Sequence, residues 1–273
     1  MDVDISGKYQ ESAPRREGWT RKTRESLDIA LKEIAADSQH LLLARKAGDV
    51  ERAKREGKIA ILLGVEGGKF LEGNLARLAE FYKLGLRELQ LRWAVPNQLV
   101  EKTALTDFGL AVVKECHRLG IIVDTTHIPE EAFFQVVAAG KKPLIVSHGT
   151  ARELGEKRVR AIADSGGVVG IHFYSSYLGN KPTLERVADA VDDLVKKGGM
   201  ETVSLGVDLF PTEGEWKAFQ NSQGTADVSW AIRDLSQMRD VTRVLVARRY
   251  GEAHIEAILG GNFLRVCKDV LGS

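Results

Sequence analysis

Short apolar runs rich in β-branched residues alternate, from Lys58 onward, with longer stretches whose apolar positions recur with the period of a helix. Strands that are apolar on both faces and joined through helices are typical of a parallel sheet buried on both sides. The pattern predicts an α/β fold, either a doubly wound sheet or a barrel. The predicted strands are Ile59–Val65, Leu86–Leu91, Ile121–Thr126, Pro143–Ser147, Gly167–Phe173 and Thr202–Val207. The predicted helices between them are Leu71–Leu84, Asp107–Leu119, Glu130–Ala139, Arg158–Asp164 and Thr183–Lys197.

The flanking segments are predicted to be helical. Trp19 to Glu56 is interpreted as one or two charged amphipathic helices, and Asp227–Arg249 and Glu252–Leu271 as closing helices. We expect one domain over residues 1–273, because no composition shift or linker divides the chain.

Residues with useful chemistry follow the carboxyl ends of successive predicted strands. A barrel presents the carboxyl ends of all its strands to one centre, whereas a doubly wound sheet gathers functional residues at one switch point. The distribution favours a (β/α)8 TIM-type barrel. The strand-end residues are Glu66, Trp93, His127, His148, His172 and Asp208.

Composition indicates a globular protein that acts on a small molecule. Apolar residues make up 44% of the chain and charged residues 28%, and 39 basic against 38 acidic side chains leave a net charge of +1. That balance predicts neither a nucleic-acid nor a membrane-surface partner. Two cysteines without a CxxC pair, no apolar run long enough for a bilayer and no secretory signal at the start predict a cytoplasmic location.

His127 and His148 each end an apolar strand, and the two strands are consecutive. One such histidine alone would be typical of a hydrogen-bonded structural residue. Because adjacent strands lie about 4.8 Å apart, both imidazoles could reach one ion at roughly 2.0–2.1 Å. Glu66 supplies a carboxylate that suits zinc or a similar divalent metal, which would activate a water molecule for hydrolysis.

Three further residues have open roles. Asp208 alone would be typical of a helix cap or turn, but opposite a metal it becomes a candidate general base or an anchor for a substrate ammonium group. His172 could be an extra ligand, a substrate contact or a hydrogen-bonding residue. Strand alternation argues against Asp124 as the residue that orients His127, because it places the two on opposite faces.

Several motifs in one order resemble the membrane (renal) dipeptidase family of zinc peptidases, within the metal-dependent amidohydrolase-like barrels. The resemblance runs from about Lys58 to the end of the chain. It implies a (β/α)8 barrel with two zinc ions bridged by a glutamate, and hydrolysis of dipeptides, some with a D-residue at the carboxyl side. The motifs are Gly64–Gly68, Leu84–Arg87, Leu119–His127, Ile145–His148, Gly166–Gly170 and Ile258–Val266.

Matched position by position, the resemblance implies that Glu66 is the bridging glutamate, with a catalytic role through the metal. His127 and His148 match the two histidine ligands of one zinc. Asp208 matches the aspartate that assists catalysis at the last strand.

The chain departs from the family pattern in its metal and substrate residues. The family carries His-x-Asp, the other ligands of the second zinc, on its first strand, but only His40 precedes Glu66 here. Trp93 stands where the family has a substrate-contacting histidine. The family's carboxylate-binding arginine falls in a segment that is shorter here, where Arg152 or Arg158 could substitute. His172 stands where the family usually has asparagine.

About six predicted strands, where a barrel needs eight, indicate a barrel that is incomplete or modified at its first one or two strands. Closure could come from the amino-terminal segment, with Val3-Asp4-Ile5 as a remnant strand, or through a homodimer.

Three hypotheses follow. The first is a dipeptidase-like hydrolase with one zinc ion, rather than two, held by Glu66, His127 and His148. The second is a catalytically impaired barrel with a binding or assembly role, and the third is a truncated enzyme that lacks the His-x-Asp strand.

Overall fold

The computed structural model of the protein describes residues 18–93, 96–209 and 229–273. Its helices are α1 (Trp19–Ala36), α2 (Ala47–Arg55), α3 (Ala76–Leu84), α4 (Asp107–Leu119), α5 (Glu130–Ala139), α6 (Ala151–Asp164), α7 (Ser175–Leu178), α8 (Leu184–Gly198), α9 (Met238–Ala247), α10 (Glu252–Glu256) and α11 (Asn262–Leu271). Its strands are β1 (Leu41–Leu43), β2 (Ile59–Ile61), β3 (Leu63–Glu66), β4 (Leu86–Gln90), β5 (Val100–Glu101), β6 (Ala104–Leu105), β7 (Ile122–Asp124), β8 (Leu144–Gly149), β9 (Val168–Ile171) and β10 (Val203–Leu205).

Six parallel strands form the central sheet in the order β10-β9-β8-β7-β4-β3. The predicted alternation of strands and helices is confirmed, and each step from β3 to β10 adds a strand beside the last one. A second parallel pair, β1 with β2, leads into this sheet because only Leu62 separates β2 from β3. Strands β5 and β6, which follow β4 in the chain, form a small antiparallel hairpin.

The described strands do not close into a ring. The order of the central sheet has two ends, β3 and β10, within the described ranges. This confirms the expectation of a barrel-type α/β fold that is incomplete. The proposed remnant strand Val3-Asp4-Ile5 lies outside the described residues.

Three strands were missed in the sequence: β1 and the two-residue strands β5 and β6. The interpretation of Trp19 to Glu56 as helical is correct for α1 and α2, but Leu41–Leu43 between them forms β1. Three leucines carry no period and favour helices intrinsically, so the pattern could not identify a strand that depends on pairing with β2.

Several element boundaries also differ from the prediction. The run Ile59–Val65 is divided into β2 and β3, and α6 begins at Ala151 and kinks at Gly155, whose φ is 76°. In the predicted helix Asp227–Arg249, residues 227–228 are not described, and the regular helix begins only at Met238. A π-helical turn, Ala257–Gly261, separates α10 from α11 in the predicted helix Glu252–Leu271.

The two faces of the sheet enter two separate apolar clusters. Leu89, Val123, Val146 and Val169 pack outward against the helices in the larger cluster. The smaller cluster lies on the inner face and joins strand residues to α11. Its buried members are Ala47, Ile122, Ile145, Val168, Val266, Cys267 and Val270.

Helix α11 seals the amino ends of the strands. The Asn262 Nδ2 donates hydrogen bonds to the carbonyls of Met200 and Val203, both 2.8 Å away, beside the start of β10. Arg265 donates to the carbonyls of Gly166 and Glu201. None of the helices in the described ranges combines the length and apolar character that a bilayer span requires.

Candidate metal centre

Glu66 ends β3 with its side chain on the inner face of the sheet. Parallel register aligns it with Gln90 of β4, whose Nε2 donates a 3.2 Å hydrogen bond to Glu66 Oε1. Gly67 follows with φ at 99°, a left-handed conformation that glycine adopts without a steric penalty. The strand therefore turns away immediately after the carboxylate, whose side chain remains 30% exposed.

His127 lies three residues beyond β7, in a turn rather than in the strand. Its φ is 64°, in the left-handed region that histidine occupies more readily than branched residues do. Its Nε2 lies 3.5 Å from Glu66 Oε1 and 3.0 Å from the Nε2 of His148. The turn thus brings the first predicted histidine to the predicted carboxylate.

His148 lies within β8, where the pairing with β9 shifts register between Val146 and Gly149. The irregularity allows both Ser147 and His148 to reach the carboxyl end of the sheet. The His148 side chain is 9% exposed, and its Nδ1 lies 2.9 Å from Ser147 Oγ. Burial lowers the pKa of His148 below its ordinary value, although the charge of Asp208 opposes this shift.

Asp208 faces the same centre from beyond β10. Its Oδ2 lies 3.2 Å from His172 Nε2 and 3.9 Å from His148 Nε2. Burial disfavours the Asp208 carboxylate, but the hydrogen bond from His172 and the charge of His148 outweigh burial, so the pKa lies below its ordinary value. Asp208 therefore remains ionised at neutral pH.

His172 is almost completely buried beside Asp208. Its Nδ1 accepts a 3.0 Å hydrogen bond from the backbone N–H of Tyr174, and its ring stacks on Tyr177 with centroids 4.4 Å apart. Burial raises the pKa of Tyr177 to about 12, so the phenol stays neutral. Among the roles left open for His172, the contacts favour hydrogen bonding.

A cavity of about 410 Å³ opens beside the two histidines. Arg92 and Arg158 line it together with His127, His148 and Glu153. Arg158 donates from Nε to the Leu154 carbonyl at 2.8 Å, and Arg92 donates from Nη1 to the Lys102 carbonyl at 3.0 Å. The Nε of Arg92 is buried and has no hydrogen-bond partner among the described residues. The cavity therefore combines two cations with the candidate ligands.

Three of the four predicted substrate residues, Arg152, Trp93 and His172, lie outside the described lining of this cavity. Arg152 is exposed at the start of α6 and is absent from the described lining. Trp93 is half-buried and lies against the turn at Gly67, where an added Cβ would be 3.8 Å from the Trp93 Cβ. Arg158 thus lines the cavity together with the two histidines, whereas Arg152 and Trp93 do not.

Sequence reasoning missed Arg92 and Glu153. Arg92 is the second residue after β4, so its place near a strand end was the available signal. Glu153 lies in the first turn of the helix after His148, and burial raises the pKa of its carboxyl group above the ordinary value.

Two further acidic residues, Asp124 of β7 and Glu88 of β4, lie on the inner face of the sheet. Register aligns Asp124 with Gln90, and Glu88 is two residues before Gln90 on the same face. Desolvation raises the pKa of Glu88 well above its ordinary value, and the charge and hydrogen bond of Asp124 add to the rise. The Asp124 Oδ2 atom is buried and has no hydrogen-bond partner among the described residues, and a protonated Glu88 can donate to the Asp124 carboxyl group.

The donor set of Glu66, His127 and His148 fits a zinc-like ion. One ligand atom from each lies within 4.8 Å of the other two. Ligands about 2.0–2.2 Å from a tetrahedral ion lie about 3.4 Å apart, close to the measured 3.0 Å and 3.5 Å. His148, His172 and Asp208 form a second group that meets the same distance limit and shares His148.

Comparisons with known proteins identify a family for this chain. The sequence model of one family, described as membrane dipeptidase (peptidase family M19), matches residues 8–271. An uncharacterized dipeptidase of Schizosaccharomyces pombe is 28% identical over 271 residues, which cover 91% of this chain and 62% of that protein. The chain thus spans less than two thirds of that relative's length.

Solved structures share the fold. An amidohydrolase from Pseudomonas aeruginosa superposes with a TM-score of 0.86 at 24% identity, covering 94% of this chain and 87% of that one. A metallo peptidase from Rhodobacter sphaeroides, liganded with a phosphinate mimic of the dipeptide L-Ala-D-Ala, gives a TM-score of 0.77 at 23% identity, covering 89% and 72%.

Proposed function

Because the chain belongs to the membrane dipeptidase family (peptidase family M19), we propose that it is a metal-dependent hydrolase of dipeptides. The observation that carries the proposal is the convergence of Glu66, His127 and His148, whose ligand atoms lie within 4.8 Å of one another at the strand ends. A single zinc ion is the proposed cofactor, since two imidazoles and a carboxylate suit that metal.

Each residue of the centre has a proposed role. Glu66, His127 and His148 hold the ion, which when bound supplies Lewis-acid activation of water and of the substrate carbonyl. Asp208 is the proposed general base, because its pKa lies below the ordinary value and His172 holds it beside the ligands. A base kept ionised can accept a proton from the attacking water.

The substrate is proposed to bind in the cavity beside the metal ligands. Arg158 lines this cavity and is the proposed contact for the substrate carboxylate, with Arg92 as a second cation. Arg152, Trp93 and His172 keep their predicted substrate roles only as proposals. The dipeptide mimic bound by the Rhodobacter sphaeroides protein supports a test panel that includes a D-residue at the carboxyl side.

A binding or assembly role without turnover is the second candidate. One sequence feature favours it: Trp93 stands where the family pattern has a histidine. A single domain over residues 1–273, a homodimer and a cytoplasmic location also stay predictions.

The deciding experiment measures metal content and hydrolysis together. We expect about one zinc ion per chain and turnover of part of a panel of L,L- and L,D-dipeptides, lost in His148→Ala. Well under one ion per chain would overturn the metal site. One bound ion with no turnover of any dipeptide, with zinc, manganese or cobalt supplied, would instead support the binding role.

A further inference from the structure

Three hydrogen bonds converge on one oxygen of Asp124, beneath the turns that carry the histidines. Asp124 Oδ1 accepts from the backbone N–H of Thr126 at 2.9 Å and from that of Ser147 at 3.1 Å. The hydroxyl of Thr126 lies 2.6 Å from the same oxygen. Because backbone N–H groups only donate, Asp124 Oδ1 is an acceptor, whether or not Oδ2 carries a proton.

This acceptor fixes the direction of the next two hydrogen bonds. Thr126 has one hydroxyl hydrogen and must donate it to Asp124, so it can only accept from Ser147 Oγ, 3.2 Å away. The Ser147 N–H also donates to Thr126 Oγ1 at 2.9 Å, and the 3.2 Å contact between the two hydroxyls is a hydrogen bond only when Ser147 donates to Thr126. Ser147 makes both bonds in this arrangement and so commits its hydroxyl hydrogen to Thr126. It has none left for His148, so at the 2.9 Å contact His148 Nδ1–H donates to Ser147 Oγ.

We propose that Asp124, Thr126 and Ser147 are positioning residues that hold neutral His148 with its hydrogen on Nδ1. The lone pair of Nε2 then faces His127 Nε2, 3.0 Å away, on the side of Glu66. An imidazole that binds a metal through Nε2 needs this tautomer, because the Nε2 lone pair must be free. The hydrogen on Nδ1 is then donated to an outer acceptor. The role assigned to the lone pair rests on the proposed function, whereas the tautomer itself does not.

The same reasoning gives His172 the opposite tautomer. Its Nδ1 accepts from the backbone N–H of Tyr174 at 3.0 Å, so in the neutral ring the hydrogen is on Nε2. That N–H points to Asp208 Oδ2, 3.2 Å away. His172 is thus a donor to Asp208 and has no Nε2 lone pair for an ion.

The two tautomers separate the two candidate ligand groups. His148, His172 and Asp208 satisfy the distance limit for a metal site, but His172 lacks the required lone pair. In the group of Glu66, His127 and His148, the Nε2 lone pair of His148 stays available to an ion. The described residues therefore provide one metal position, with His172 serving its neighbour Asp208.

Nitrogen-15 NMR of histidine-labelled, metal-free protein at pH 8 tests the assignment directly. We expect His148, identified by its loss in His148→Ala, to show the Nδ1–H tautomer and His172 the Nε2–H tautomer. Thr126→Val frees the Ser147 hydroxyl to donate to His148 Nδ1, and should shift His148 toward Nε2–H. Thr126→Ser keeps the hydroxyl and should retain the wild-type tautomer.

Thr125→Val is the matched control. Thr125 is the buried neighbour of Thr126, and its hydroxyl donates to the Ile145 carbonyl at 2.8 Å, outside this network. Its loss should leave the His148 tautomer unchanged. The proposal fails if wild-type His148 is in the Nε2–H form, or if Thr126→Val and Thr125→Val give the same spectrum as the wild type.

Zinc affinity, measured by competition with a chromophoric chelator, provides a second readout. Thr126→Val and Ser147→Ala should each raise the zinc Kd about 10–100-fold, while Thr126→Ser and Thr125→Val leave it unchanged. Ser147→Ala also serves if Thr126→Val does not fold. A correct tautomer pattern with no zinc binding would refute the proposed function and leave the tautomer assignment intact; equal affinity in all folded variants would overturn the positioning role.

Discussion

The two ends of the parallel strands are built from opposite kinds of residue. At the carboxyl ends, Glu66 and His127 present titratable side chains that are 30% and 23% exposed. At the amino ends, Val266 and Cys267 of α11 are fully buried, and Asn262 has both amide hydrogens bonded. The amino ends therefore contribute to stability, and the carboxyl ends carry the proposed metal centre, which is where TIM barrels place their active sites.

Burial of ionisable groups costs free energy at the carboxyl ends of the strands and not at the amino ends. At the carboxyl ends, ionisable groups lie close together and partly buried. Burial disfavours their charged forms, and it lowers the pKa of His148 for this reason. At the amino ends, each polar group of α11 that enters the core finds a backbone carbonyl. Substitutions at the two ends should therefore affect different properties.

The largest effect is expected from Glu66→Gln. Loss of a charged ligand should lower kcat/KM for a dipeptide by more than about 100-fold and remove bound zinc, with little change in the unfolding midpoint of the metal-free protein. Glu115→Gln, on the far surface of α4 and paired with Arg118, is the control and should keep full activity. A Glu66→Gln protein with normal zinc content and rate would contradict the assigned role.

Asn262→Ala should show the reverse pattern. It leaves the Met200 and Val203 carbonyls without their donor, which should lower the free energy of unfolding by about 2 kcal/mol in urea titrations. Zinc affinity of the folded protein should be unchanged. Asn74→Ala removes one exposed hydrogen bond to the Ala76 N–H and should cost less. An Asn262→Ala protein that loses zinc affinity while keeping its stability would contradict this separation of stability from metal binding.

The smallest effect concerns pH and Glu88, between the two ends. Because folding raises the pKa of Glu88, the folded chain binds more protons than the unfolded chain. The stability from this group is complete below the ordinary pKa, about 4.3, and is lost as pH rises through the raised value. In metal-free protein, Glu88→Gln should therefore gain stability relative to wild type as pH rises.

Urea titrations from pH 4 to pH 9 measure this difference. Glu101→Gln, at an exposed position, should follow the wild-type pH dependence. Parallel wild-type and Glu88→Gln curves over the whole range would show that Glu88 titrates normally.

The sequence predicted much of the fold because the strands from β3 to β10 carry their own apolar pattern. It missed β1, since three leucines become a strand only by pairing with β2. It also placed Glu66, His127, His148 and Asp208 at strand ends, which the structure brings to one centre. Arg92 and Glu153 were missed, because a place near a strand end or in the first turn of α6 does not by itself show which residues line the cavity.

The hydrogen bonds of Asp124 show most clearly what the sequence pattern could not predict. Strand alternation separates it from His127, and the structure places the Asp124 hydrogen bonds on Thr126 and Ser147 instead. The link to His148 crosses from β7 to β8, so no pattern within either strand contains it.

The sequence by itself determined the family, the order of strands and helices and the residue types of the metal centre, because these depend on local periodicity and motif spacing. Three properties come from the tertiary structure alone: which arginines line the cavity, that the described sheet does not close into a ring, and which nitrogen of His148 and of His172 carries the hydrogen. Those properties depend on distances between residues far apart in the chain, and on donors and acceptors that meet only when neighbouring strands pair.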